Sequence, residues 1–273
     1  MNKLRKYLLI ILICANFFTF WIIFDYLFLE KGEVSFLDVG QGDAELIQTR
    51  SGNILIDAGP DISVISALDA SLPFFDRTID LFILSHPNKD HFNGLFEVLR
   101  RFNVRAVMLN NLSYPDSLYQ KLLQELAKKD ILVIQGIKGT KAILENDNLF
   151  VLYPKAMVSS AEDPNKFSSV VSLDLGGNYF LFLGDISAVQ EKEILPLLSE
   201  NNKLRILKVA HHGSSYSSSW QFLEAFKPHF AVIEVGNNSY GHPHADTLNR
   251  LTQIGAKILR TDLEGTIRFK GKK

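Results

Sequence analysis

A ten-residue segment, SHPNKDHFNG at positions 85–94, constrains this chain more than any other part of it. It directly follows the apolar run 81–84, and within six residues it carries four candidate metal ligands: His86, Asn88, Asp90 and His91. Borderline divalent ions accept such mixed nitrogen and oxygen ligands. A buried strand that ends in these groups predicts a site for a pair of metal ions, with a helix from position 92 fixing the last two ligands.

Further polar residues follow predicted strands in the segments FLDVGQGD at 36–43, LIDAG at 55–59, LFLGD at 181–185 and LKVAHHGS at 207–214. A fifth segment, YGHPH at 240–244, precedes the last long predicted helix. Layered α/β enzymes assemble their sites from the ends of several strands at one sheet edge. Because six of the seven histidines fall into three short clusters, we expect these segments to form one site.

Taken singly, most of these residues have a simpler interpretation. An Asp beside Gly after a strand is typical of a turn or a helix cap, and this description fits Asp38, Asp43 and Asp57. Asn88 followed by Lys89 is compatible with an ordinary turn, and His229 is interpreted as a structural histidine. The prediction of a metal site therefore depends on the three histidine clusters occurring together.

From position 33 onward, short apolar runs alternate with amphipathic helical patterns, and the sequence predicts thirteen strands and six helices. Ser-Gly at 51–52 and Gly-Gly at 176–177 predict hairpins. Elsewhere single strands lead into single helices, which is typical of a layered α/β domain. The sequence of this part contains no Pro- or Ser-rich linker, so we expect one domain at 33–273, with the polar loop 155–166 as a mobile rim.

The first 32 residues have a different character. Positions 7–24 read YLLIILICANFFTFWIIF without a charged residue, and about 20 apolar residues suffice to cross a bilayer. Three basic residues precede the run: Lys3, Arg5 and Lys6. The sequence therefore predicts a single-pass anchor of the cell membrane at 1–32, with a cytoplasmic N-terminus and an extracytoplasmic domain at 33–273.

Two alternatives compete with a retained anchor. A cleaved signal peptide has an apolar run of about 7–15 residues followed by a small-x-small site, whereas this run is longer and no such site follows position 29. A lipid anchor on Cys14 is the second alternative, and the bulky Ile13 before it argues against that.

Charge and cysteine content exclude some classes of protein. The formal net charge is −1, and without the first 29 residues 26 basic residues face 29 acidic ones. This balance gives no support to a strongly basic nucleic-acid surface, although it leaves room for a local positive groove. The one cysteine, Cys14, excludes an internal disulfide framework and a thiolate zinc site.

Together the segments resemble the metallo-β-lactamase superfamily. SHPNKDHFNG is similar to its HxHxDH metal motif, and FLDVGQGDA, LIDAG, LFLGD, LKVAHHGS and YGHPH occur in the order seen in its ComEC-like branch. The resemblance covers about 33–269 and implies an αββα sandwich with a two-metal hydrolase site at one edge of the packed sheets. It also implies nuclease or phosphodiesterase relatives, including the external domain of DNA-uptake channels. Teichoic phosphorylcholine esterases share parts of the pattern.

The resemblance implies a metal centre built from eight residues: His86, Asn88, Asp90, His91, Asp185, His211, His212 and His242. In this centre Asp185 bridges two divalent ions, zinc or manganese. The first two motif positions face one ion and the last two face the other. His211 is expected to complete one set of ligands, with His212 as the alternative, because adjacent residues of an extended segment point in opposite directions. His242 is the remaining candidate ligand, or it contacts substrate.

Other residues are expected to support the chemistry. Two carboxylates are expected to accept the free ring N–H groups of ligand histidines: Asp38 and Asp57. Gly213 and Ser214 would donate to a phosphate oxygen, although the run 214–219 is equally typical of a flexible polar loop. His244 or Tyr240 would protonate or orient the leaving group.

Two departures from the family pattern shape the functional prediction. Asn88 stands where the family has His or, in this branch, Asp, so the first ion would be held less firmly. One predicted span cannot form a DNA-uptake pore. We therefore expect a membrane-anchored, metal-dependent hydrolase of phosphodiester bonds, with nucleic acid, such as DNA, as the first substrate to test. The alternatives are a hydrolase of a cell-wall or choline phosphodiester or of a lactam, and a non-catalytic binding module, which Asn88 favours.

Overall fold

Two β-sheets packed face to face form the centre of the fold, and α-helices cover both outer faces. This computed structural model describes residues 3–27, 32–110, 113–144, 147–158, 163–198 and 202–271. The αββα sandwich predicted from the sequence is confirmed.

The first sheet contains β1 (Glu33–Phe36), β2 (Glu45–Thr49), β3 (Gly52–Ile56), β5 (Leu81–Ile83), β7 (Ala106–Leu109), β8 (Leu132–Gln135) and β16 (Ile267–Lys270). Their spatial order is β16-β1-β2-β3-β5-β7-β8. The four strands from β3 to β8 run parallel, so their carboxyl ends share one sheet edge. Two short strands, β4 (Thr78–Ile79) and β6 (Asn103–Val104), pair separately beside this sheet.

The second sheet contains β9 (Lys141–Leu144), β10 (Asp147–Tyr153), β11 (Val170–Leu175), β12 (Asn178–Phe182), β13 (Leu204–Lys208), β14 (Phe230–Ile233) and β15 (Lys257–Arg260). The spatial order is β15-β14-β13-β12-β11-β10-β9. Strands β12 to β15 are parallel, and the Gly-Gly pair predicted to form a hairpin joins β11 to β12. Both glycines there have positive φ, 54° and 79°, which a tight turn requires.

Helices α2 (Ser63–Ser71), α3 (Lys89–Phe92), α4 (Leu95–Arg101) and α5 (Ser117–Lys128) pack on the first sheet. Helices α6 (Ala188–Ile194), α7 (Trp220–Phe226) and α8 (Ala245–Gln253) pack on the second, and a short α9 (Thr261–Glu264) follows β15. Helix α5 illustrates why these segments are helical. Asp116 accepts hydrogen bonds from two backbone N–H groups at its start, and its buried residues Tyr119, Leu122 and Leu126 share one face.

Apolar side chains from both sheets fill the space between them. Phe36 of the first sheet lies 5.9 Å from Phe182 of the second, measured between ring centroids, and both rings are fully or almost fully buried. Each such ring contributes about 1.5–3 kcal/mol on burial. This apolar centre fixes the distance between the sheets, and therefore the distance between polar groups at their common edge.

All thirteen predicted strands and six predicted helical regions are found, with shifts of a few residues at their ends. The prediction missed β4, β6, β9 and α9, which are too short or too exposed to produce a clear hydrophobic period. The helix predicted at 92–101 is divided into α3 and α4. Between them Gly94 packs against the backbone of Ala58, where a side chain would clash.

The N-terminal helix α1 (Lys3–Leu27) is the one helix among the described residues whose length and composition suit a membrane span. Its span Lys3–Ile23 has a mean hydropathy of 2.0, and its apolar side chains are exposed. This finding agrees with the predicted anchor in length and composition.

Candidate metal centre

Residues that follow five strands meet at one edge of the sandwich. Asp57 follows β3, His86 follows β5, Asp185 follows β12 and His211 follows β13, while Asp43 lies in the loop between β1 and β2. The parallel alignment of β3 with β5 and of β12 with β13 carries their polar ends to the same side. The predicted convergence of distant segments is therefore what the fold produces.

The carboxylate of Asp185 lies at the centre of four imidazole rings. Its Oδ2 atom is 3.5, 3.7, 3.9 and 4.0 Å from the Nε2 atoms of, respectively, His91, His211, His86 and His212. Most of these separations are too long for hydrogen bonds. They resemble the spacing of two ligands on one tetrahedral zinc ion, about 3.4 Å for bonds of about 2.1 Å.

Asp90 forms one side of this centre together with two of the rings. Its Oδ2 atom lies 3.3 Å from His212 Nε2 and 3.9 Å from His91 Nε2. These three residues and Asp185 therefore offer two carboxylates and two imidazoles to one ion.

The other side of the centre is built from His86, His211 and two amides. Asn88 Nδ2 donates a 2.6 Å hydrogen bond to Asn165 Oδ1, and Asn165 Nδ2 lies 3.5 Å from His211 Nε2. Asn165 belongs to a 3₁₀ turn, Pro164–Phe167, at the end of the predicted rim loop. Asn165 was not predicted, because a lone Asn in a polar loop has no distinguishing pattern.

Three buried ligand atoms have no hydrogen-bond partner among the described residues: His86 Nε2, His91 Nε2 and Asp185 Oδ1. Leaving a buried polar group unsatisfied costs about 1–3 kcal/mol. A divalent cation satisfies such atoms, so the donor set and its unpaired atoms fit the two ions that the family pattern implies.

Asp57 orients two of the histidines. Its Oδ2 atom is 2.7 Å from His91 Nδ1 and accepts a 2.5 Å hydrogen bond from Ser85 Oγ. The same hydroxyl lies 2.9 Å from His86 Nδ1. These contacts leave the Nε2 atoms of both rings facing Asp185, which matches the orienting contact expected of Asp57.

The corresponding expectation for Asp38 is wrong. Its side chain is exposed and accepts a hydrogen bond from the backbone N–H of Gly40, as a turn residue does. Asp43 of the same segment lies against the rings instead, with its Oδ1 atom 3.2 Å from His212 Nδ1 and its Oδ2 atom 3.6 Å from His91 Nδ1. The simple interpretation of Asp43 as a turn residue is thus incomplete.

The prediction that only one of His211 and His212 faces the centre was based on an extended segment. The structure instead has a tight turn at Ala210–Gly213, in which the φ angles of His211 and His212 are 52° and 50°. Because of this turn both rings approach Asp185. Backbone conformations of this kind are uncommon for residues other than glycine and cluster at functional sites.

The carboxylates control the charge of the rings. Burial disfavours the charged form of His212, but Asp43 and Asp185 outweigh it and raise the pKa of this ring to about 10. Burial and the neighbouring His91 lower the pKa of His86 to about 3. Burial opposes the charge of Asp185, yet the surrounding rings hold its pKa well below the usual value. Binding of a cation would therefore displace protons from this centre.

A buried charged layer lies beneath the rings. Lys208 Nζ contacts the Asp43 carboxylate closely and donates a 3.2 Å hydrogen bond to the carbonyl of Gly184. Two further buried acids, Glu45 and Glu234, are adjacent, and burial raises the pKa of Glu234 to about 8. This layer was not predicted, although charged residues inside apolar strands, as in LRILKVA and AVIEV, indicate it in the sequence.

A cavity of about 380 Å³ opens over the centre. Its lining includes Asn88, Asp90, His211, His212, Tyr240 and His242. The His242 ring lies 5.4 Å from the His211 ring and 5.9 Å from the exposed Tyr240 ring, measured between centroids. His242 and Tyr240 therefore stand on the cavity wall, where a substrate would reach them.

Three other predicted site residues have different surroundings. Gly213 and Ser214 are buried, and neither is among the residues that line the cavity, contrary to their expected role. His244 also lies outside the residues that line this cavity. Its Nδ1 atom accepts from the backbone N–H of Asp246, which makes it the N-terminal cap of α8.

Comparison with known proteins gives a family match over residues 37–233, to the "Metallo-beta-lactamase superfamily". ComE operon protein 3 of Bacillus subtilis is 28% identical over 261 residues, which is 89% of this chain and 33% of that protein. Recombination protein 2 of Haemophilus influenzae is 30% identical over 273 residues, 98% of this chain and 32% of that protein. The chain thus spans about a third of the length of the curated relatives it matches.

Solved structures share the fold at low identity. YhfI, a metallo-β-lactamase fold protein of Bacillus subtilis, superimposes with a TM-score of 0.61 at 13% identity, over 89% of this chain and all of that one. CmlA, a diiron β-hydroxylase of Streptomyces venezuelae, gives 0.58 at 13% identity, over 88% of this chain and 54% of that chain. At this identity the likeness concerns the fold alone.

Proposed function

The chain belongs to the metallo-beta-lactamase superfamily, and on that premise we propose that it is a membrane-anchored, metal-dependent phosphodiesterase acting on nucleic acid. The anchor is residues 1–32, and the hydrolase domain is residues 33–273, outside the cytoplasm. The single observation that carries this proposal is the buried Asp185 carboxylate surrounded by four imidazole rings, with unpaired ligand atoms at its centre.

The residues of the centre divide into two sets that share Asp185. Asp90, His91 and His212 would hold one divalent ion, and His86, Asn88 and His211 would hold the other, zinc or manganese in each case. When bound, such ions polarise a phosphoryl oxygen and lower the pKa of a coordinated water, which supplies a nucleophile at neutral pH.

The remaining residues would position the substrate and hold the histidine rings of the centre in a fixed orientation. Asp57 and Ser85 hold the rings of His86 and His91, so that their Nε2 atoms stay directed at Asp185. On the cavity wall, the hydroxyl of Tyr240 would donate a hydrogen bond to a phosphate oxygen. His242 would contact the same phosphate group from beside His211.

Nucleic acid is proposed as substrate because of the relatives' names and the shape of the site. Two matched proteins carry competence or recombination in their names, and the phosphate of any phosphodiester could enter an open cavity of this size. The net charge of the domain is slightly negative, so we expect binding to depend on the centre and not on a wide basic surface.

The test uses the full chain purified in detergent, with zinc or manganese added. We expect hydrolysis of single- or double-stranded DNA, of RNA or of bis-nitrophenyl phosphate, and loss of this activity in Asp185→Asn. Asp130→Asn makes the same change at an exposed turn and should leave the activity intact. A folded, metal-loaded chain that hydrolyses none of these substrates would refute the proposal.

One observation favours a second candidate, a non-catalytic binding module. The hydrogen bond between Asn88 and Asn165 gives the His86 side of the centre two neutral amides where a carboxylate would bind an ion more strongly. Elemental analysis separates the candidates. Two tightly bound ions per chain support the hydrolase, while one or none supports the binding module.

A further inference from the structure

Two adjacent phenylalanines project from the turn after α2. Phe74 is 76% exposed and Phe75 is 50% exposed, and their rings contact edge to face at 5.3 Å between centroids. Single exposed apolar residues are common on soluble surfaces, but a pair of large rings in contact forms a small apolar patch. A patch of this size gains meaning from its position relative to the rest of the chain.

The patch lies at the end of the first sheet where β1 begins. Arg268 connects the two places, because its Nη2 atom donates a 3.1 Å hydrogen bond to Ser71 Oγ and its Nε atom lies 3.5 Å from Glu33 Oε1. Gln48, which pairs with Glu33, also lines one cleft together with Pro73, the residue before Phe74. Glu33 and the phenylalanine pair therefore occupy the same end of the domain.

A short connection joins the Glu33 end of the first sheet to α1. Helix α1 ends at Leu27 and β1 begins at Glu33, so five residues join them. Five residues span at most about 18 Å even when fully extended. If α1 crosses a bilayer, the Glu33 end of the sheet is held next to the surface of that bilayer.

The metal centre lies at the opposite end of the same strands. β1 runs from Glu33 towards the loop that carries Asp43, and β3 and β5 lead into the segments that carry Asp57 and His86. The short connection therefore places the phenylalanine pair on the membrane side and directs the cavity away from it.

We propose that Phe74 and Phe75 insert into the interfacial region of the lipid bilayer that α1 spans, an inference that depends on the proposed anchor. Aromatic and aliphatic side chains bury themselves at this depth, between headgroups and acyl chains. The two contacts, α1 and the phenylalanine pair, fix the orientation of the domain. The cavity then opens towards the aqueous side, where long substrates have access.

The experiment uses single-cysteine variants of the full chain in nanodiscs. Phe74→Cys and Phe75→Cys are made in a Cys14→Ser background and labelled with a nitrobenzoxadiazole fluorophore. Leu263→Cys is the matched control, because Leu263 is 72% exposed and belongs to α9, whose Thr261 bonds to Val235 near the centre. The fluorescence is then compared before and after lipids that carry a doxyl quencher are added to the bilayer.

We expect a blue-shifted emission and loss of most of the fluorescence at positions 74 and 75, with neither change at position 263. Equal fluorescence at all three positions would overturn the inference. A label on the native Cys14 tests the anchor separately. Quenching at Cys14 without quenching at 74 and 75 overturns this inference alone, whereas an unquenched Cys14 overturns the anchor and the inference with it.

Discussion

We propose that Asn88 determines how evenly the two proposed ion positions are occupied. The set of Asp90, His91, His212 and Asp185 contains two carboxylates, whereas the set on the Asn88 side shares only Asp185. A carboxylate adds a full negative charge, and opposite unit charges 4 Å apart attract by about 4 kcal/mol at an effective dielectric constant of 20. Desolvation removes part of this gain.

We therefore expect Asn88→Asp to strengthen binding of the weaker ion at least about tenfold, equivalent to about 1.4 kcal/mol, in calorimetric titration with manganese. The tighter ion should be unaffected. Asn249→Asp, at an exposed position of α8, makes the same change away from the centre and should alter neither affinity. Unchanged affinity in Asn88→Asp would mean that Asn88 does not contact an ion.

Glu234 gives the metal-free chain a pH-dependent stability. Burial, with the charge of Asp43 added to it, raises the pKa of Glu234 to about 8, above its ordinary 4.5. Between these values the folded chain binds more protons than the unfolded chain, so the free energy of unfolding falls as the pH rises from about 4.5 to about 8.

Glu234→Gln removes this titration, so we expect a smaller decrease in the free energy of unfolding over the same pH interval. Denaturant titrations with EDTA present, at a series of pH values, measure it for both chains. Identical slopes in the variant and the natural chain would contradict the assigned pKa.

Strand β13 ends at a buried lysine and is preceded by a partly exposed one. Lys208 is fully buried against Asp43, whereas Lys203, just before the strand, pairs with Asp174 at a side-chain exposure of 39%. Breaking a buried pair leaves an uncompensated charge inside the protein, while exposed pairs contribute little.

Lys208→Met should therefore reduce the free energy of unfolding by about 3–5 kcal/mol, because Asp43 loses its buried counter-charge. Lys203→Met removes the exposed pair and should cost less than about 1 kcal/mol. Denaturant unfolding of both variants, with EDTA present, provides the comparison. Equal losses would show that the buried pair has no special role in stability.

The proposed metal centre joins the two halves of the sandwich. Asp57, His86 and His91 come from the first sheet, and Asp185, His211 and His212 come from the second. An ion held between residues of both halves in the folded chain has no comparable site in the unfolded chain. Bound ions are therefore expected to stabilise the whole domain.

At an ion concentration 100 times the dissociation constant, binding adds about 2.7 kcal/mol to the free energy of unfolding. We expect EDTA to lower the midpoint of thermal unfolding and manganese or zinc to restore it. Asp185→Asn should remove most of this response. A midpoint that does not respond to either addition would contradict a site shared between the halves.

Much of the fold could be predicted because its signals are local. The apolar opening, the alternating strands and helices, and the cluster at positions 86–91 are each contained in a short window of sequence. Hydrophobic period and residue type follow from that window alone. They sufficed for the layered fold and for identifying the segments that the fold brings together at one edge.

Contacts between distant segments could not be predicted in this way. The left-handed turn at His211 and His212, the amide pair of Asn88 and Asn165, and the preference for Asp43 over Asp38 depend on strand register and on crossovers between strands far apart in the chain. Short-range patterns carry no information on which side chains meet across two packed sheets. Only folding brings these side chains together, and it therefore determines which polar groups form ion pairs, share a proton or bind the same ion.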